Sequence, residues 1–194
     1  MSPTNKSYVS IQLPLGGHSF SSKALDEVKV DDNCRVVAIV DTARCAAVPI
    51  ALLNGASLEE HLQSAGIAIA PNEVAVCNDE QEVAVVMAMN RECHTTLTAK
   101  YGDKISFTSP LLATPLPEQG SVLHLSSKTL YVRVTTNGLK FIDAIEVDGD
   151  GDIIYVLEKI NSVHNIFNMY ARAEGDTQRL IRLCKQQFSN LVCE

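Results

Sequence analysis

The stretch from Val122 to Val147, VLHLSSKTLYVRVTTNGLKFIDAIEV, constrains the fold of this chain more than any other. Its residues alternate apolar and polar with the period of two that belongs to a strand. The alternation is broken first at Ser126-Ser127-Lys128 and again at Asn137-Gly138. Asn-Gly between alternating runs marks a tight hairpin, because both residues tolerate the left-handed conformations that such a turn requires. The spacing therefore predicts three consecutive antiparallel strands.

Beyond Val147 the period changes. Asp150 or Asp152 can cap a helix through Ile154, Leu157, Glu158, Ile160 and Val163, Ile166 to Ala171 reads as a strand, and Asp176 caps a last helix with Leu180, Leu183, Cys184 and Phe188 inward. The second half thus has the order β-β-β-α-β-α. In the first half, YVSIQL at 8–13 and His18 to Ser21 flank the Gly16-Gly17 turn as a hairpin, and RVVAIVD at 35–41 has the continuous β-branched character of a strand buried on both faces. Ser57 followed by two glutamates caps a helix that stops at Gly66. Glu73–Cys77 and Glu82–Met89 form a second hairpin, Arg91–Tyr101 has a helical period, and Lys104–Thr108 reads as a strand. The segment from Ser109 to Gly120 holds Pro110, Pro115 and Pro117 and suits a connection, so the expected halves are 1–112 and 121–194. The fold class is α/β with mixed sheets, and the first half reads as a looser version of the second.

Composition narrows function by exclusion. A 46% hydrophobic, 20% charged chain of 194 residues has enough apolar surface to fold. Its formal net charge of −7 opposes binding to phosphate backbones and anionic membranes, so no nucleic acid and no membrane partner is expected. No apolar run approaches the roughly 20 residues of a membrane helix, and MSPTNKSYVS lacks the features of a secretory signal. The six cysteines, at 34, 45, 77, 93, 184 and 193, are spread singly without a CxxC pair. That is the pattern of small buried hydrophobes in a reducing compartment, and the expected location is cytoplasmic.

YVSIQLPLGGHSFS, TARCAAVPIALL, YGDKISFTSPLL and the Val122–Val147 hairpins, taken with the doubled order, resemble an uncharacterised bacterial family known as a domain of unknown function. The resemblance spans nearly the whole chain and rests on hydrophobic and turn patterns. It implies membership of the actin, Hsp70 and sugar-kinase superfamily, in which two ribonuclease-H-like halves face each other across a nucleotide cleft. It also implies where a nucleotide would sit: Gly16 and Gly17 in the first turn, Ser126, Ser127 and Lys128 in the second, and Gly175 in the third. Active members carry an acidic residue with glycines at the first two turns. Here the first has glycines without an aspartate, and the second has hydroxyls and a lysine without acid or glycine. Magnesium-phosphate chemistry needs a carboxylate near the metal, so no catalytic residue, metal or cofactor is assigned.

Other motifs fail on spacing. Asp148-Gly149-Asp150-Gly151-Asp152 opens like a calcium loop, but Ile153 then stands where the turn glycine belongs and Lys159 where the bidentate glutamate belongs. The five histidines show no HExxH or HxH pattern, and Cys93 beside His94 cannot form a thiolate–imidazole pair from adjacent helix positions. Arg172, Arg179, Arg182 and Lys185 form a basic group assigned to the last helix. The leading expectation is a non-catalytic actin-like-fold protein with an unidentified protein partner. The rivals are a nucleotide-binding protein that uses the turn residues with Asp41 or Asp143 at a metal, and a homodimer or larger homo-oligomer built through an exposed sheet edge.

Overall fold

The computed structural model describes residues 8–19, 34–80, 82–115 and 118–193. The chain divides into two compact units, Met1–Leu112 and Ala113–Glu194.

The first unit holds two three-stranded sheets. In one, β1 (Tyr8–Leu13), β2 (Arg35–Val40) and β6 (Ile105–Thr108) lie parallel in that order. In the other, β5 (Val83–Asn90) runs antiparallel between β3 (Cys45–Pro49) and β4 (Glu73–Glu80). The run VAVVMAM in β5 is buried from Val83 to Met89, as suits a central strand covered on both faces. Three helices connect the strands: α1 (Ile50–Leu53), α2 (Leu58–Ser64) and α3 (Arg91–Tyr101). Ser57 and Glu60 close a reciprocal capping box at α2, and Leu62 is driven fully inside against Val48, Ala75, Val86 and Ala88. At α3 the Asn90 side chain accepts the Cys93 N–H, and Gly102 (φ 55°) ends the helix.

The expected hairpin across Gly16-Gly17 is corrected here. Pro14–Gly17 form a 3₁₀ turn, His18 and Ser19 continue as a turn, and the neighbour of β1 is the parallel β2; Phe20 and Ser21 lie outside the described residues. Parallel neighbours need a long crossover connection, and a Gly-Gly pair at the start of that connection carries no information about its far end. In β2 only one face is fully buried, through Val36, Ala38 and Val40, while Val37 and Ile39 are partly exposed.

The second unit is a single five-stranded sheet. The predicted meander is present as β7 (Gln119–Ser126), β8 (Thr129–Thr136) and β9 (Leu139–Glu146), with Asn137 and Gly138 both at positive φ. Then come α4 (Asp150–His164), β10 (Tyr170–Gly175), α5 (Thr177–Cys184) and β11 (Asn190–Cys193). The spatial order is β11-β10-β7-β8-β9, with β10 parallel to both β7 and β11. This is a meander extended on the side of its first strand by two parallel strands reached through crossovers. One face of the sheet, carrying Leu123, Leu125, Leu130, Val132, Val134, Ala171 and Ala173, packs against Ile153, Leu157 and Ile160 of α4 and Leu180 and Cys184 of α5. Each fully buried leucine, isoleucine or valine here contributes about 1.5–3 kcal/mol by leaving water.

Two local expectations shift, while the helix expected through Ile154–Val163 is present as α4 with Ile153, Leu157 and Ile160 buried and Val163 75% exposed. Asn165 adopts a left-handed conformation that ends α4, so Ile166–Asn168 form a 3₁₀ turn and the strand begins at Tyr170. The four-residue β11 adds a strand to the expected order; its NLVC is too short to show a period.

Gly175 is the tightest point of the second unit. At φ +71° a Cβ there would stand 2.2 Å from the Leu125 carbonyl oxygen. Gly175→Ala is expected to destabilise the unit by about 2–4 kcal/mol, from left-handed strain plus backbone displacement, read as an earlier midpoint in urea titration followed by far-UV circular dichroism. An unchanged midpoint would show that β7 and β10 separate there at little cost.

Candidate functional site

In the second unit the parallel strands β7 and β10 end side by side, with Gly175 opposite Leu125. The Asp176 N–H donates to the Leu125 carbonyl at 2.8 Å. This places Gly175 beside the turn made by Ser126, Ser127 (φ 47°) and Lys128, so four of the residues assigned from sequence share one end of one sheet. Gly16 and Gly17 belong to the first unit.

What surrounds the Ser126–Lys128 turn is acidic and already engaged. Lys128 Nζ lies 3.4 Å from Asp148 Oδ1, with both side chains mostly in water. The Asp152 carboxylate accepts the Asp148 and Gly149 N–H groups at 2.9 and 3.1 Å, across the N-terminus of α4. Asp176 accepts the Arg179 N–H at 3.0 Å, across the N-terminus of α5. Helix N-termini attract phosphate through free N–H groups and the positive end of the helix dipole. Both termini near this turn carry a carboxylate, which takes up the two N–H groups just before α4 and one N–H of α5 and repels a second anion.

Asp150 does not cap α4. It pairs with Arg179 Nε at 2.7 Å and Arg182 Nη2 at 2.9 Å, and the Arg179 hydrogen bond holds its carboxyl below the usual range. The basic group expected on the last helix is thereby corrected. Arg172 lies in β10, Arg179 and Arg182 are balanced by Asp150, and Lys185 is exposed just past α5. The Asp148–Asp152 segment is a strand-to-helix turn, and among the described residues no three His, Cys, Asp or Glu side chains converge as a metal site.

A buried polar network on the opposite sheet face was not legible from sequence. Glu174 accepts from Thr114 Oγ1 at 2.8 Å, forms an ion pair with Arg172 Nε at 2.8 Å and lies 3.6 Å from His124 Nδ1. Arg172 also donates to the Pro115 carbonyl at 2.7 Å, and the 1%-exposed Arg133 donates to the Thr114 carbonyl. Together these tie Thr114 and Pro115 to the sheet. Burial alone would raise the Glu174 pKa; the hydrogen bonds from His124 and Thr114 and the charge of Arg172 outweigh it and hold the carboxyl below its ordinary value.

The first unit has a matching cluster beside Gly16 and Gly17. Leu15, Gly16 and Gly17 take positive φ in succession, and the Gly16 N–H donates to the Asp41 carbonyl at 2.8 Å. A Cβ on Gly17 would meet Cys93 Sγ at 2.9 Å, so this glycine serves the close approach of the turn to α3. Next to it, Glu73 is 4% exposed and accepts from Arg44 at 3.2 and 2.7 Å and from the Ala70 N–H at 2.8 Å, with His18 Nε2 at 3.3 Å. Burial raises the Glu73 pKa, but the Ala70, Arg44 and His18 hydrogen bonds exceed that effect and lower it overall. Arg44 and Glu73 are 29 positions apart, beyond any local pattern. The Cys93 thiol is pushed up to about 11 by burial, which keeps it protonated and inert at neutral pH. Asp41 is 7% exposed at the end of β2, and Asp143 lies in β9.

No protein-family model and no curated protein matches the sequence. Solved structures do resemble it. One from Bacteroides thetaiotaomicron VPI-5482, a protein with actin-like ATPase fold and unknown function, aligns with a TM-score of 0.66 over 82% of this chain and 68% of that chain, at 15% identity. Another is the cytoplasmic domain of EpsL, an inner membrane component of the type II secretion system of Vibrio cholerae, at a TM-score of 0.45 and 19% identity over 84% and 70% of the two chains. The first likeness shows that this chain has the actin-like ATPase fold. No helix among the described residues is long and apolar enough to cross a membrane.

Glu73 and Glu174 set an acid limit on stability. Both have folded-state pKa values below the ordinary carboxylate value of 4.5, so their contribution is complete above that value and is lost as pH falls through the lowered one. The melting temperature is expected to fall from about pH 5 to about pH 3, with a shallower fall in Glu174→Gln and Glu73→Gln. Each variant should also lose about 1–3 kcal/mol at neutral pH, because a buried carboxylate gives up its charge-assisted hydrogen bonds. A slope unchanged in both variants would remove these carboxylates from the acid response.

Proposed function

We propose that this protein is a non-catalytic member of the actin-like fold that acts by binding another protein, its ancestral phosphate turns no longer suited to a nucleotide. The observation that carries this reading is the charge at the turns. Where a phosphate would approach Ser126–Lys128 and Gly175, the N-termini of α4 and α5 hold Asp152 and Asp176, and Lys128 faces Asp148. At the other turn, the Gly16 N–H is committed to the Asp41 carbonyl, and the adjacent Glu73 is neutralised by Arg44. A nucleotide would have to displace protein carboxylates from protein donors, and each exchange of a satisfied charge-assisted hydrogen bond costs about as much as it returns.

Calorimetric titration of the full chain with magnesium-ATP, alongside its melting temperature, tests this directly. The expected result is no heat and no upward shift at millimolar nucleotide, because a ligand that binds the native state must raise its apparent stability. Lys128→Ala, which removes a solvent-exposed pair, should change stability by less than about 0.5 kcal/mol and leave the titration flat. Micromolar ATP binding that Lys128→Ala abolishes would replace this proposal with the nucleotide-binding one.

A further inference from the structure

An open groove of about 590 Å³ runs between β9 and α4 in the second unit. Its floor is Phe141 and Ile145, its far wall Tyr155, Ile160 and Val163, and His164 closes one end against the Phe141 ring at 5.5 Å. Tyr155 and Val163 are 59% and 75% exposed at the groove, with Lys159 Nζ 5.5 Å from the Tyr155 ring centroid. Beside it, β9 is the edge of the sheet and pairs only with β8 among the described residues, so its outer row of N–H and C=O groups is open to a further strand.

The charge on this edge decides what can add to it. Asp143 lies opposite Val132 in the ladder, on the same face as Phe141 and Ile145, the face that packs toward α4. It is a carboxylate set between two apolar neighbours, and its one described partner is its own neighbour's N–H, at 2.9 Å. Burial pushes its pKa up. Lys140, the extra residue of a bulge in β9, leaves the ladder on the other side of Phe141 and does not reach across to it by register.

A second copy of the chain is a poor occupant. Antiparallel pairing matches residues on the same face, so in the registers that overlay two groove segments Asp143 would stand opposite Phe141, Asp143 or Ile145 of the other copy. None of these is a cation. One doubles the negative charge and two bury it against hydrocarbon, which is how edge strands are protected from self-association.

We propose that the β9 edge and the β9–α4 groove bind an extended segment of another protein by strand addition, with a lysine or arginine opposite Asp143 and apolar side chains two residues to either side lying in the groove. The backbone of β9 supplies the ladder, Phe141, Ile145, Tyr155 and Val163 supply the apolar contacts, and Asp143 supplies the choice of charge. The chain's formal net charge of −7 favours the approach of a basic segment over an acidic one. This inference rests on the protein-binding reading above and gives it a place and a partner chemistry.

The test uses the full chain and fluorescein-labelled peptides of alternating valine and threonine that differ only at a central lysine or glutamate, read by fluorescence anisotropy. The lysine peptide is expected to bind at least about tenfold more tightly than the glutamate peptide, with the preference lost in Asp143→Asn and reversed in Asp143→Lys. Circular dichroism confirms that these exposed-edge variants remain folded. N-methylation of alternate peptide amides should abolish binding, since it removes the ladder donors. Equal binding of the two peptides, a preference untouched by Asp143→Lys, or no binding at millimolar peptide would overturn the assignment. So would a concentration-dependent dimer dispersed by Tyr155→Glu, which gives the groove to a second copy. ATP binding in the earlier titration sinks the protein-binding reading itself, whereas a silent titration with silent peptides removes only this surface.

Discussion

The second unit depends on one strand having two kinds of neighbour. β7 pairs antiparallel with β8 through a turn of a few residues, and parallel with β10 only after the chain has passed through β9 and α4. The first pairing follows from local alternation and turn chemistry, the second from a crossover that must bring Gly175 level with Leu125. At that level there is no room for a side chain, so the register of the parallel half is set by a glycine whose missing atoms are filled by a carbonyl of the neighbouring strand. The same glycine that resembles a phosphate-turn residue is explained by this contact between strands.

Two buried carboxylates, one in each unit, are each matched by an arginine and a histidine: Glu73 by Arg44 and His18, Glu174 by Arg172 and His124. Each long-helix start in the second unit is matched by a carboxylate from its own first turn or cap. Asp143, exposed at the edge of the sheet, has its own neighbour's N–H as its one described partner.

Sequence patterns revealed the elements whose cause is local. The meander was legible because Asn137-Gly138 and the alternation on either side act within a few residues, and α2 because Ser57 and Glu60 lie one turn apart. The parallel pairing of β1 with β2 was not legible, since the Gly16-Gly17 signal ends where the long connection begins. The turn residues Ser126–Lys128 and Gly175 could be placed together by fold resemblance, whereas Arg44–Glu73 and Arg172–Glu174–Thr114 could not. Their partners come from separate elements, and no periodicity links position 44 to 73 or 114 to 174.

The β7–β10 pairing also orders events in time. The meander closes through contacts a few residues apart and loses little chain entropy in doing so, whereas docking Gly175 against Leu125 closes a loop of about 50 residues. Until that loop closes, β7 presents an open edge of its own, carrying Val122, Leu123 and Leu125, to any strand within reach. The slow step in assembling this sheet is therefore also the interval in which β7 is vulnerable to the wrong partner.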